Sequence, residues 1–345
     1  MSKRLGVVIN PTAGKGRAAR AGPAVIGALL EAGHDVWDLT GATADLGLEH
    51  ARRAVADGID ALVVVGGDGM VHLGAQAVAS TSTSLAILAM GTGNDFARNL
   101  GLPVGDVAAC IDTLLATLAA DARPPRAIDA LRVTGPGLTS RKVAGEPLRW
   151  VAGAVSAGLD AAVNERANAM VRPRGSSRYV IAALREIAAW SAWDYRLTFE
   201  QVPGTPAEIA AITSLDGFGD LGDDADGTRL VWDARGALVT VANGSHIGGG
   251  IPVAPLASID DGYADVIIAT DVGRRGAITL FPQLLRGRNL RNPQVRMVRA
   301  RAVTLEPAEH GRLPRIPSVF GDGEFLGTLP LRVEVCPRAL RVLAP

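Results

Sequence analysis

Strand-length runs rich in apolar residues recur through the first 130 residues, at 5–9, 35–39, 61–65 and 85–88. Segments of helical periodicity fill the gaps at 17–31, 44–57, 70–79 and 104–119. A run such as Val63-Val64-Val65 has no polar alternation, so both faces of its strand must be covered. A parallel sheet between two helix layers does this. In such sheets ligands bind beyond the carboxyl ends of the strands, so the loops there carry the chemistry. Those loops are rich in glycine: the chain has 41, where average usage of about 7% would give roughly 24.

After Asp129 the rhythm changes to strands separated by turns, at 148–154, 194–201, 208–213, 229–232, 237–242, 264–269, 295–305 and 331–335. Helical patterns persist only at 160–171, 176–189 and 274–285. The expected fold is an α/β N-terminal domain with a parallel, Rossmann-like sheet over residues 1–130, followed by a mostly antiparallel β-sandwich domain over 131–336. The tail, 337–345, is a short apolar strand for which a return to the first domain is one option. Two domains also suit 345 residues, at roughly 150 per domain.

Several function classes drop out. Lysine plus arginine and aspartate plus glutamate each number 35, so no global field draws the chain to nucleic acid, and any charged partner must meet a local patch. Cys110 and Cys336 are too few for a disulfide framework or a four-cysteine zinc site, fit a reducing cytoplasm, and read as buried thiols. The start reads as a first strand, too short for a signal peptide. Residues 69–94 carry no Asp, Glu, Lys or Arg, yet His72, Gln76 and the polar run 80–84 make them buried helix, loop and strand rather than a membrane span.

Three loops follow strands. Asn10-Pro11-Thr12-Ala13-Gly14-Lys15-Gly16 would place free N–H groups at a helix start, which suits phosphate. Walker spacing fails, because Ile9 and Gly16 stand where Gly and Ser or Thr belong. Gly14, Gly16 and Ala19 match G-x-G-x-x-A, with Asp35 and Asp38 about twenty residues on, but Asn-Pro intrudes between strand and glycines. Gly66-Gly67-Asp68-Gly69 sets a carboxylate among glycines, either to meet phosphate and its metal ion or as a glycine turn with Asp68 as helix cap. Gly91-Thr92-Gly93-Asn94-Asp95-Phe96 adds a hydroxyl and a second acid.

In order and spacing these loops resemble the diacylglycerol kinase and sphingosine kinase lipid-kinase family, especially its bacterial soluble members. The second half agrees, through Asn243-Gly-x-x-x-Gly-Gly-Gly250 with Pro252 and Pro255, Asp261-Gly-Tyr-Ala-Asp265, and Gly321-Asp-Gly-Glu324. The resemblance spans nearly the whole chain. It implies an ATP- and Mg²⁺-dependent kinase that makes phosphatidic acid from diacylglycerol.

It also implies roles for particular residues. ATP would be bound at Asn10, Pro11, Thr12, Gly14, Thr40, Gly66, Gly67, Asp68, Gly69, His72, Thr92, Asn94 and Asp95. The nucleotide's magnesium would be held, largely through water, by Asp68, Asp95 and Asp129. Asp322 and Glu324 would supply the base, and a structural magnesium would sit on the Asp261 carboxylate and main-chain oxygens of Ser258 and Tyr263. Phosphoryl transfer calls for such parts: donors and a metal for the phosphates, and a carboxylate to take the acceptor's proton. The residues alone leave open an exposed hairpin turn at 322–324. Departures from the family pattern are Met70, His72 and Leu73, where Thr and Asn-Glu are usual.

Between residues 274 and 301 stand Arg274, Arg275, Arg286, Arg288, Arg291, Arg296, Arg299 and Arg301 with no acid, interleaved with Ile278, Leu280, Phe281, Leu284 and Leu285. Arg166, Arg172, Arg174 and Arg178 form a second cluster. Both suit peripheral docking of a cytoplasmic enzyme on anionic headgroups, against core packing for the apolar positions and a solvated face for the arginines. Five aspartates between 216 and 226 nearly mimic a calcium loop, but Gly222 stands at the first ligand position and a solvated loop is expected. Rival readings are a kinase of sphingoid bases, ceramide or another glycerolipid, an NAD-kinase-like enzyme, and a non-catalytic nucleotide or lipid sensor. A homodimer is an option the sequence leaves open.

Overall fold

In the computed structural model the described residues are 2–139, 148–170, 177–189, 191–224, 227–308 and 316–345. The chain divides into two compact units. The first comprises Met1–Ala130, Trp150–Ala152 and Pro337–Pro345, and the second Leu131–Arg149 and Gly153–Cys336.

The first unit opens with β1 (Arg4–Ile9), α1 (Ala13–Glu31), β2 (Asp35–Asp38), α2 (Ala44–Ala56), β3 (Ala61–Gly66), α3 (Asp68–Val78) and β4 (Ser84–Ala89). The short α4 (Asp95–Asn99), α5 (Val107–Leu118) and β5 (Arg126–Thr134) follow, the last crossing into the second unit. Its strands pair in parallel in the order β4-β3-β1-β2, with Val7 beside Val63 and Val63 beside Ala86. Every residue of β3 and β4 is buried, the outcome expected of runs without polar alternation. Leu5, Val7, Val63, Val65 and Leu88 pack with Val25 and Leu29 of α1 and Leu114 of α5. Each such side chain contributes about 1.5–3 kcal/mol on burial. The regular part of α1 starts at Arg17, because Gly14, Lys15 and Gly16 all hold left-handed dihedrals.

The second unit contains β6 (Leu148–Val151) in part, β7 (Ala154–Gly158), α6 (Leu159–Ala169), α7 (Ser177–Ala189), β8 (Trp193–Glu200), α8 (Pro206–Thr213) and β9 (Phe218–Asp224). Then come β10 (Gly227–Ala242), β11 (Ala264–Thr270), α9 (Gly273–Leu285), β12 (Val295–Ala300), β13 (Ala302–Pro307), β14 (Ser318–Gly321), β15 (Glu324–Thr328) and β16 (Leu331–Val342). The strands are antiparallel in the order β15-β14-β7-β10-β8-β13-β16, with β9 and β11 also on β10 and β12 on β11. β16 leaves this unit at Cys336, and in the first unit its Val342 lies parallel to Leu85 of β4.

Four expectations are corrected here. Residues 208–213 are helical, because Pro206 opens the helix and Thr205 with Glu208 forms a reciprocal capping box that outweighs the strand-like apolar residues. The acidic stretch, as far as residue 224, is largely the strand β9 paired with β10 rather than a loop; residues 225 and 226 lie outside the described ones. Residues 295–305 are two strands that part at Arg301, one pairing with β11 and the other with β8 and β16. Cys336 is only half-buried, whereas Cys110 is buried, and both are free thiols.

Candidate active site

The three glycine loops leave the carboxyl ends of β1, β3 and β4 and close on one another. A Cβ on Gly14 would overlap the Met90 carbonyl oxygen, and one on Gly91 would overlap the Gly67 Cα. Backbone thus touches backbone across all three loops, which only residues lacking a side chain permit. Asn94, itself left-handed at φ 57°, braces the third loop. Its Oδ1 accepts from Gly91 N at 2.9 Å and its Nδ2 donates to Gly91 O at 3.0 Å.

Asp68 joins the second loop to the third. Its two carboxylate oxygens accept the N–H groups of Asn94 and Asp95, each at 2.8 Å, so it caps α4 rather than its own helix. Asp95 is 9% exposed in the first turn of α4. Within the first loop, Asn10 Oδ1 accepts from the Thr12 N–H at 3.1 Å and from its hydroxyl at 2.8 Å, while Pro11 and Thr12 are exposed. The Thr40 hydroxyl accepts from Ile9 N at 3.1 Å and thereby ties the end of β2's loop to β1. Thr92 is exposed, Gly66 is buried, and Gly69 faces solvent. Asp129 is 1% exposed and accepts from Arg338 N at 2.8 Å, within the first unit.

Sequence reasoning missed two residues here. Arg17 reaches back to donate to Gly14 O at 3.2 Å and to Gly91 O at 3.0 Å, fastening the first loop to the third. Gln76 lies one helical turn beyond His72, within 3.5 Å of its Nε2, and takes both backbone groups of Trp150, accepting from its N–H at 3.1 Å and donating to its carbonyl. A side-chain amide thus stands beside His72 on the same face of α3. An i, i+4 test of α3 would have found Gln76; Arg17 carries no such signal.

In the second unit two of the later motifs, those of Asn243 and Asp322, meet at Gly153. Its carbonyl accepts from Asn243 N at 2.8 Å and Gly244 N at 2.9 Å, and its N–H donates to Asp322 Oδ1 at 2.8 Å. Asp322 Oδ1 also lies 3.4 Å from Ala154 N. Asp322 and Gly323 both have left-handed dihedrals, so Asp-Gly forms the tight turn between β14 and β15, with Glu324 opening β15. The hairpin turn is thus real, and its aspartate is oriented by the strand beside it.

Residues 4–124 match the family model of the diacylglycerol kinase catalytic domain, and residues 153–344 match that of the YegS C-terminal NAD kinase beta sandwich-like domain. A protein of Mycobacterium tuberculosis named diacylglycerol kinase is 31% identical over 99% of this chain and 95% of its own length. The chain belongs to the diacylglycerol kinase and YegS-like lipid kinase family. This makes it an ATP-dependent lipid kinase. A probable lipid kinase YegS-like of Stenotrophomonas maltophilia is 27% identical, over 86% of this chain and 82% of that one. The crystal structure of a diacylglycerol kinase from Bacillus anthracis strain Sterne shares the kinase's fold, with a TM-score of 0.63 at 17% identity, over 100% of this chain and 97% of that one.

The kinase family also implies a structural magnesium on the Asp261 carboxylate and main-chain oxygens of Ser258 and Tyr263, and the carboxylate there is already engaged. Asp261 Oδ1 accepts from Tyr263 N at 3.0 Å, and its Oδ2 is paired with the Arg299 guanidinium. A positive charge already holds the carboxylate that would be the ion's anionic ligand. Nearby Asp265 is 3% exposed; burial raises its pKa, and Arg299 pulls the other way.

Among the described residues no helix is long and apolar enough to cross a membrane. The basic patches divide in the structure. Arg299 serves the pair just described and Arg166 pairs with Glu186, whereas Arg274, Arg275, Arg286, Arg288 and Arg291 are exposed. Arg172 and Arg174 lie outside the described residues.

Proposed function

We propose that this kinase transfers the γ-phosphoryl group of ATP to the free hydroxyl of diacylglycerol, giving phosphatidic acid, at the cytoplasmic face of a membrane. The observation that carries the phosphotransfer is the closure of three glycine loops at the carboxyl ends of the parallel strands. Phosphoryl transfer depends mainly on positioning and charge neutralisation, which bare N–H groups and nearby carboxylates supply. In this reading all three loops, with Thr40, His72 and Thr92, contact the nucleotide. Asp95 and Asp68 steady the magnesium that ATP brings, through water and the second lone pairs of their oxygens. Asp129 acts more remotely, holding the returning chain at Arg338. Glu324 takes the proton of the acceptor hydroxyl, and Asp322, engaged by Gly153 and Ala154, positions the turn that presents it.

The second unit has a small cavity of about 50 Å³ walled by Leu159, Ile187, Leu238, Ile267, Leu280 and Phe281 among others, nearly all apolar. Its lining suits hydrocarbon rather than the polar groups of NAD. Labelled ATP and magnesium, supplied with diacylglycerol, sphingosine, ceramide and NAD in parallel, test the reading: label should enter phosphatidic acid. Label in another product names another acceptor, and no label with retained nucleotide binding favours a sensor.

The membrane is proposed to meet α7 and α9, which pack against each other. Val180 and Leu184 on α7 and Ile278 and Leu285 on α9 are exposed, the last two beside Arg274, Arg275, Arg286 and Arg288, whereas Leu280, Phe281 and Leu284 line the cavity. Each arginine near an anionic surface contributes about 1 kcal/mol. Replacing Arg274 and Arg275 by glutamine is expected to weaken flotation with anionic vesicles about 30-fold. Equal wild-type binding to neutral and anionic vesicles would refute the electrostatic part.

A further inference from the structure

The turn at residues 258–263 enters β11, which lies antiparallel to β12 with Asp265 directly opposite Arg299. That register delivers one guanidinium to two carboxylates. Arg299 Nε stands 3.2 Å from Asp265 Oδ1, and its Nη2 pairs with Asp261 Oδ2. The guanidinium also lies over the Tyr263 ring, 5.1 Å from its centroid, and Arg301 stands 5.4 Å from the same ring. Asp261 closes the turn by accepting from Tyr263 N. Turn, ring and strand are thus fixed to each other by a single side chain whose planar fork suits two acceptors at once.

We infer that Arg299 is the built-in cation of this turn, doing what a bound divalent ion would otherwise do, so that the second unit keeps its structure without metal. A divalent ion needs about six oxygen ligands with few competing positive charges. Here the anionic ligand is taken, and the Arg299 guanidinium, stacked on Tyr263, stands in the way. Any magnesium the kinase requires then enters with the nucleotide. This goes beyond the proposed reaction and does not depend on which lipid is the acceptor.

Thermal unfolding of the full, nucleotide-free chain in EDTA and in millimolar magnesium tests it. The expected result is the same melting temperature in both, within about 1 °C. Arg299→Gln is expected to melt on the order of 5–10 °C lower, because Asp265 is left buried without its counter-charge. Arg299→Lys should fall between the two, since an ammonium cannot span both carboxylates. A wild-type melting temperature that rises several degrees with magnesium, with the rise lost in Asp261→Asn, would overturn the inference without any need for the Arg299 variants to fold. An Arg299→Gln chain as stable as wild type would overturn it too.

Discussion

Replacing Glu324 by glutamine is expected to lower kcat by about 10²–10⁴-fold while the KM for ATP stays near its wild-type value. Glutamine matches the shape of glutamate and can still hydrogen-bond the acceptor hydroxyl, but it cannot take the proton as the new P–O bond forms. Asp322→Asn should behave differently. The asparagine oxygen can still accept from Gly153 N, where Asp322 Oδ1 now does so at 2.8 Å. What is lost is the charge assistance of that bond, a difference of roughly 1 kcal/mol that loosens the turn. Its kcat should therefore fall only about fivefold, with a measurable loss of stability that Glu324→Gln does not share. Steady-state kinetics beside equilibrium unfolding of both variants separates the roles. Wild-type rates in both would remove the base from this turn, and the reverse order of effects would exchange the two residues.

The first unit was legible because its strands are buried on both faces and its loops are punctuated by glycine. Runs such as 61–65 and 85–88 have only one stable setting, and the helix expected from Arg17 begins there once three left-handed residues have turned the chain. The short helix α4 escaped notice because its cap is Asp68, far off in sequence, rather than a neighbouring residue. Strand reading of 208–213 failed by weighing Ile and Thr over the Thr205–Glu208 box three residues apart. The acidic strand β9 failed for the opposite reason, since aspartates discourage a strand only until β10 supplies the partner. Around the candidate site, motif order gave the loops and the Asp-Gly-Glu turn. The Arg299 clamp was hidden, because it needs the β11–β12 register, and in sequence Arg299 looked like one more member of a basic patch.

Gly91→Ala is expected to raise the KM for ATP by roughly ten- to a hundredfold and to destabilise the first unit by about 1–3 kcal/mol. Gly91 does not use a left-handed conformation, so alanine meets no backbone penalty there. Its methyl would overlap Gly67 Cα and lie 2.8 Å from Asn94 Oδ1 and 3.1 Å from Gly67 N. Two of these are backbone atoms and the third belongs to an amide held by two hydrogen bonds, so the second and third loops must part. Parting them strains the Asn94 bonds to Gly91 and the grip of Asp68 on α4. Gly16→Ala is the matching control with the opposite profile. Its φ is +85°, yet nothing stands within 4 Å of the added Cβ. It should cost only the 1–2 kcal/mol or so of a left-handed alanine and leave the loop contacts alone. Nucleotide titration with unfolding of each variant therefore distinguishes close approach from backbone freedom. If Gly91→Ala binds ATP as the wild type does, loop closure is not what holds the nucleotide, and the phosphotransfer reading loses its main support.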